Sequence, residues 1–216
     1  MTSAWVRAEP NAQPRMSTPR QTTRPPPAGP IDPALGTACR RVIEGALAIV
    51  PGEAVLFVID RDHADVGEAL ANAALARMAW PTTIVLEELG SRPFGGLPRE
   101  VRDAMETTQA SVLLIDIARH PEIPLRHEMI NLAGSLGLRH AHLIGLSRRA
   151  LIAGMMADPV RVAEATRTVR GKILPTSRLS LRSRAGSNLE VQLDARYRWK
   201  LQAGNIRSGH WENLPS

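Results

Sequence analysis

Four short apolar runs recur along the chain at nearly even intervals, and they constrain its fold more than any other feature. They are AVLFVID (54–60), TTIVLEEL (82–89), SVLLIDI (111–117) and HAHLIGL (140–146). Near-continuous Val/Ile/Leu runs of this length suit strands buried on both faces, as in a parallel sheet. The spacers ADVGEALANAALARMAW (64–80), PREVRDAMETTQ (98–109) and PEIPLRHEMINLAGSLG (121–137) carry helical spacing, with Val66, Leu70, Ala73, Ala74 and Met78 on one face. Pro98 and Pro121 stand where a first helical turn accepts proline. Residues 33–50 read as a further helix, with Cys39, Val42, Ile43, Ala46 and Ile49 aligned. Strands alternating with helices predict βαβ units: an α/β fold with a Rossmann-like open parallel sheet and flanking helices over 33–146.

The flanks differ from this core. Residues 1–32 are rich in Pro, Arg, Thr and Ala, a composition that buries too little apolar surface to offset ordering entropy and predicts a disordered tail. Residues 147–216 change pattern. Segments 148–156 and 159–171 read as helices, broken at Asp158-Pro159. SRLSLRS (177–183) and LEVQLDARYRW (189–199) then alternate apolar and polar residues around the turn RAGSN (184–188), which predicts a C-terminal β-hairpin with one buried face.

Several function classes lack their residues. The first βα junction reads DRDHADVG (60–67). It holds neither the glycine-rich dinucleotide fingerprint nor the phosphate loop, so no nucleotide cofactor is expected. Asp60, Asp62, His63 and His120 stand at strand ends, where α/β folds place ligands. A metal or acid–base site drawn from them competes with a plainer reading, in which Asp62 and Asp65 cap helices. His127, His140 and His142 match no zinc-binding spacing, and no nucleophile elbow is present. Cys39, the single cysteine, reads as core, and its solitude agrees with a reducing cytoplasm. No apolar run approaches a membrane span. The net charge of +6 comes almost wholly from arginine, whose planar fork suits carboxylates and phosphates. Nucleic acid is disfavoured as a partner, because aromatics make up 3% of the chain and offer no stacking platform.

Three stretches in order carry a family resemblance: Pro51-Gly52-Glu53-Ala54-Val55-Leu56, Gly186-Ser187-Asn188-Leu189, and Trp211-Glu212-Asn213-Leu214-Pro215-Ser216. The set resembles the N-terminal domain of the metal-dependent aminopeptidases that include aminopeptidases T and S, an architecture shared with ring-cleaving dihydroxypyridine dioxygenases. In that family the glutamate after an N-L-P-x-G segment is the first metal ligand, and the others lie in a C-terminal half. The sequence stops before that glycine, so the resemblance implies a scaffold without metal ligands or catalytic residues. Ser187-Asn188 replaces the family's Thr-Asp. The chain is also similar to truncated, crocagin-type relatives that hold a precursor peptide for modifying enzymes in ribosomal-peptide natural-product biosynthesis. The resemblance thus implies a non-catalytic peptide-binding protein. The alternative is an N-terminal fragment of an aminopeptidase or related dioxygenase that needs a separate catalytic domain.

The residues place such a peptide on the hairpin. Arg178, Arg182 and Arg184 are expected on one face of SRLSLRSR, around Ser180, and Leu179 and Leu181 on the other. An exposed strand edge is a template for an extended peptide, here an acidic one. Tyr197, Trp199 and Trp211 are expected to add aromatic anchors. The same exposed edge predicts a homodimer.

Overall fold

The computed structural model describes residues 32–194, 196 and 198–215. The expected tail and Tyr197 lie outside the described residues, apart from Asp32. The chain forms α1 (Pro33–Arg40), a π-helical continuation (Arg41–Ala46), β1 (Ala54–Ile59), a short 3-10 turn (Arg61–His63), α2 (Ala64–Ala76), β2 (Trp80–Val85), α3 (Leu86–Leu89), α4 (Arg99–Met105) and β3 (Ala110–Ile115). It continues with α5 (Ile123–Leu136), β4 (Arg139–Ile144), α6 (Arg148–Met155), α7 (Pro159–Ile173), β5 (Arg178–Arg182), β6 (Asn188–Gln192) and β7 (Trp211–Asn213).

Five strands make one parallel sheet in the order β2-β1-β3-β4-β7. This is the α/β fold that the apolar runs predict. Alternate strand residues feed two cores. Val55, Phe57, Ile59, Val112, Leu114, Ala141 and Leu143 face α1, α2 and α6. Leu56, Val58, Leu113 and Ile115 face α4 and α5, meeting Val101, Met105, Leu125 and Met129. The expected face of the first helix, Cys39, Val42, Ile43, Ala46 and Ile49, is buried throughout. Burial pushes the Cys39 thiol up to about 12, which leaves it inert.

The structure corrects the element boundaries in six places. The second apolar run is not all strand: β2 ends at Val85, and Leu86–Leu89 turns into α3, which swings Glu87 back toward the sheet's carboxyl edge. Pro98 precedes α4 as its N-cap rather than entering the first turn, and in α5 the early proline is Pro124 instead of Pro121. Met78 lies beyond α2, exposed, with φ 56°. The second hairpin strand ends at Gln192, well short of residue 199. Finally, the sheet is not confined to 33–146, because Trp211–Asn213 returns to pair with β4.

The three stretches behind the family resemblance occupy structural positions. Gly52 turns at φ 85°, and Glu53 holds that turn by accepting from Val50 N at 3.0 Å while pairing with Arg139 at 2.6 Å. Gly186 turns the hairpin at φ 96°. Leu214 N donates to His142 O at 2.8 Å, seating β7, and its side chain joins the core.

Candidate functional site

In this strand order β1 and β3 are the neighbours whose connections leave in opposite directions, so the crevice above their carboxyl ends is where such sheets receive ligands. Asp60 closes β1 there and is 1% exposed. Its Oδ2 accepts from the Asp116 amide at 2.6 Å and from Arg92 Nη1 at 3.2 Å. Its Oδ1 lies 2.5 Å from His63 Nδ1 and accepts the His63 amide at 3.1 Å, which makes Asp60, not Asp62, the cap of the turn. Asp62 is exposed and faces Arg119 at 3.9 Å. Asp65 pairs with Arg148 at 3.0 Å.

Arg92 fills the crevice. Besides Asp60, its Nη1 reaches Glu87 at 2.9 Å and its Nε reaches Glu122 at 2.8 Å. Glu122 sits in the left-handed region at φ 47°, a conformation costing about 1–2 kcal/mol for an L residue. That backbone turns its carboxylate inward to take both Arg92 and the Phe94 amide, the latter at 2.7 Å. Burial opposes the Asp60 charge. Hydrogen bonds from His63, the Asp116 amide and Arg92 outweigh it and hold Asp60 below the ordinary carboxylate range. The crevice is thus occupied by the protein's own ion pairs. Among the described residues no group of three or more His, Cys, Asp or Glu is placed to hold a metal ion.

His140 and His142 are buried on the α5 side of β4, edge to face with ring centroids 4.7 Å apart. His140 Nδ1 meets Ser111 Oγ at 2.8 Å, and neither ring's Nε2 has a hydrogen-bond partner among the described residues. Burial lowers His140 to about 4 and His142 to about 2, so both are neutral. Their role is packing, under the Trp211 ring 5.2 Å from His142.

The residues expected to bind a peptide lie away from this crevice. From α7 through β6 the chain lies off the core: α7 buries no residue, and β5 and β6 form their own two-stranded sheet. The register places Leu179 opposite Val191 and Leu181 opposite Leu189, giving one apolar face. That face was expected to be buried. Instead Leu181 and Leu189 are 49% and 52% exposed, because no described element is laid across them. The other face carries Arg178, Ser180 and Arg182 beside Gln192, Glu190 and Asn188. Arg184 does not share it, since it lies in the turn beyond β5. Leu193 N donates to Ser177 O and Ser183 N to Ser187 O, at 2.8 and 3.0 Å. By antiparallel alternation, the N–H and C=O groups of Arg178, Ser180 and Arg182 therefore face the open edge of β5.

Charge is concentrated on the same arm. Residues 159–199 hold nine arginines and lysines against three acids. This net +6 equals the formal charge of the entire chain, so the other 175 residues are balanced, with 18 basic against 18 acidic residues. Trp199 and Trp211 stand in different parts of the fold. Trp199 is exposed in the segment after β6, whereas Trp211 stands in the main sheet with Lys200 Nζ 3.4 Å above its ring.

No helix among the described residues is long and apolar enough to cross a membrane. No family model and no curated protein matches the sequence. Among solved structures, the chain is similar to wild-type AmpT from Thermus thermophilus, with 14% identity and a TM-score of 0.49 over 85% of this chain. The match covers 59% of the AmpT chain, so the present sequence spans less than two thirds of its length.

Proposed function

We propose that this protein is a non-catalytic peptide-binding protein that presents an acidic, extended precursor peptide to modifying enzymes. The observation that carries the reading is the β5 edge, whose outward backbone groups belong to the residues of the arginine face. A peptide alternating acidic and apolar residues would add as a third strand. Its apolar side chains would extend the Leu179/Leu181 face and its carboxylates would meet Arg178 and Arg182. Glu190 on β6 repels such a peptide, so charge selects the β5 edge over the β6 edge. A nucleic-acid strand matches the charge but not the surface, since residues 159–199 contain two aromatics, Tyr197 and Trp199.

Titration calorimetry with a synthetic decapeptide alternating glutamate and valine tests this. Saturable binding is expected, weakened about tenfold or more by Arg182→Glu, which exchanges a charge-assisted contact for repulsion. Heat from an oligonucleotide but not from the peptide would overturn the partner. Leucyl-peptide hydrolysis dependent on added zinc would overturn the non-catalytic assignment.

A further inference from the structure

His63 stands between two acceptors. Its Nδ1 lies 2.5 Å from the Asp60 carboxylate and its Nε2 lies 3.2 Å from the Leu146 carbonyl. Neither oxygen can donate, so both contacts are hydrogen bonds only if both ring nitrogens carry a proton. The side chain is 13% exposed, which leaves little room for water to satisfy a bare nitrogen.

We infer that His63 is a doubly protonated latch tying the turn after β1 to the junction of β4 and α6, and that loss of its Nε2 proton loosens that junction. Leu146 immediately precedes Ser147, the N-cap of α6, so the tie sits where the chain leaves the sheet for α6, α7 and the hairpin. The carboxylates around the ring, Asp60 at the end of β1 and Asp116 at the end of β3, favour the imidazolium, whereas Arg92 acts on it through Asp60. Arg61 and Asp62 flank it on the exposed side of its own turn. The β4–α6 junction presents an uncharged carbonyl. The Asp60 hydrogen bond, outweighing burial, raises His63 above its ordinary 6.5. Deprotonation leaves Nδ1–H on Asp60, the stronger acceptor, and sets the Nε2 lone pair against the Leu146 oxygen. The Arg148 pairs to Asp32 and Asp65 persist, so the junction loosens without detaching.

Nitrogen-15 NMR of the imidazole in the full chain, followed by amide hydrogen exchange across residues 146–151, provides the test. Both His63 nitrogens should be protonated at pH 7. As pH rises through the titration, local opening at 146–151 should increase about tenfold after correction for intrinsic exchange, as loss of a hydrogen bond to a charged group allows. His63→Gln should remove this pH step, and Asp60→Asn should bring the ring's titration down toward its ordinary value. A neutral ring with one bare nitrogen at pH 7 overturns the proposal. So does a titration of the wild-type ring that leaves exchange at 146–151 unchanged.

Discussion

Arg92 and Asp60 meet at 3.2 Å across the carboxyl edge of the sheet, with side chains 6% and 1% exposed. The same guanidinium holds Glu87 and Glu122. Removing it leaves buried carboxylates without their cation, which costs far more than the pair itself contributes. Arg92→Ala is expected to lower stability by about 3–5 kcal/mol, measured by urea unfolding. Arg92→Lys should recover only part, because one ammonium cannot span three carboxylates as the planar fork does.

Gly154 in α6 packs on Pro215. A Cβ there would run into Pro215 Cγ and Cβ. Alanine normally improves a helix interior, by about 1 kcal/mol over glycine. Here the sign reverses, and Gly154→Ala should cost about 1–3 kcal/mol by overpacking. Gly171 in α7 has nothing within 4 Å of such a Cβ. Gly171→Ala should therefore stabilise, and thermal melting of the two variants separates them.

Strands β1, β3 and β4 were legible because runs such as Val55–Ile59 are buried on both faces and leave no other use for so many apolar residues. The overrun at Leu86–Leu89 follows from the same signal: an apolar run does not say where a strand stops and a helical turn begins. Strand β7 had no signal of its own. Trp-Glu-Asn pairs because Leu214 N reaches the distant His142 O and because Glu212 takes the Ala203 and Gly204 amides, contacts that the tripeptide does not itself announce. The Arg92 network was illegible for that reason too, since its partners Asp60 and Glu122 lie about thirty residues away on either side. In the hairpin, alternation separated Arg178 and Arg182 from Leu179 and Leu181, but it also placed Arg184 with the arginines although that residue lies in the turn. It carried no information on whether anything covers the leucines.

The buried histidines set an acid limit on the fold. Both are neutral in the folded chain, with His140 lowered to about 4 and His142 to about 2, against 6.5 in a free side chain. Below pH 6.5 the unfolded chain binds protons that the folded chain does not. Their contribution to stability is complete above pH 6.5 and is lost as pH falls toward the folded values, by about 1.4 kcal/mol per pH unit for each ring. His142→Leu should flatten this dependence between pH 6.5 and 4. It should cost little at pH 8, because His142 Nε2 gives up no hydrogen bond. Urea unfolding across that range checks both expectations.

The β5 edge offers a sharper test than charge reversal. Ser180 lies at its centre, its side chain on the arginine face and its backbone N–H turned away from β6. Proline at this position removes a donor that the hairpin itself does not use. Ser180→Pro should leave the five-stranded sheet intact, since β5 lies outside it, yet abolish binding of an alternating glutamate–valine peptide. Raising salt from about 0.05 to 0.5 M should weaken wild-type binding through screening of Arg178 and Arg182, but not eliminate it, because strand addition and leucine contacts are only weakly screened. Binding that survives Ser180→Pro, or that vanishes with salt alone, would show a diffuse electrostatic surface rather than a strand template.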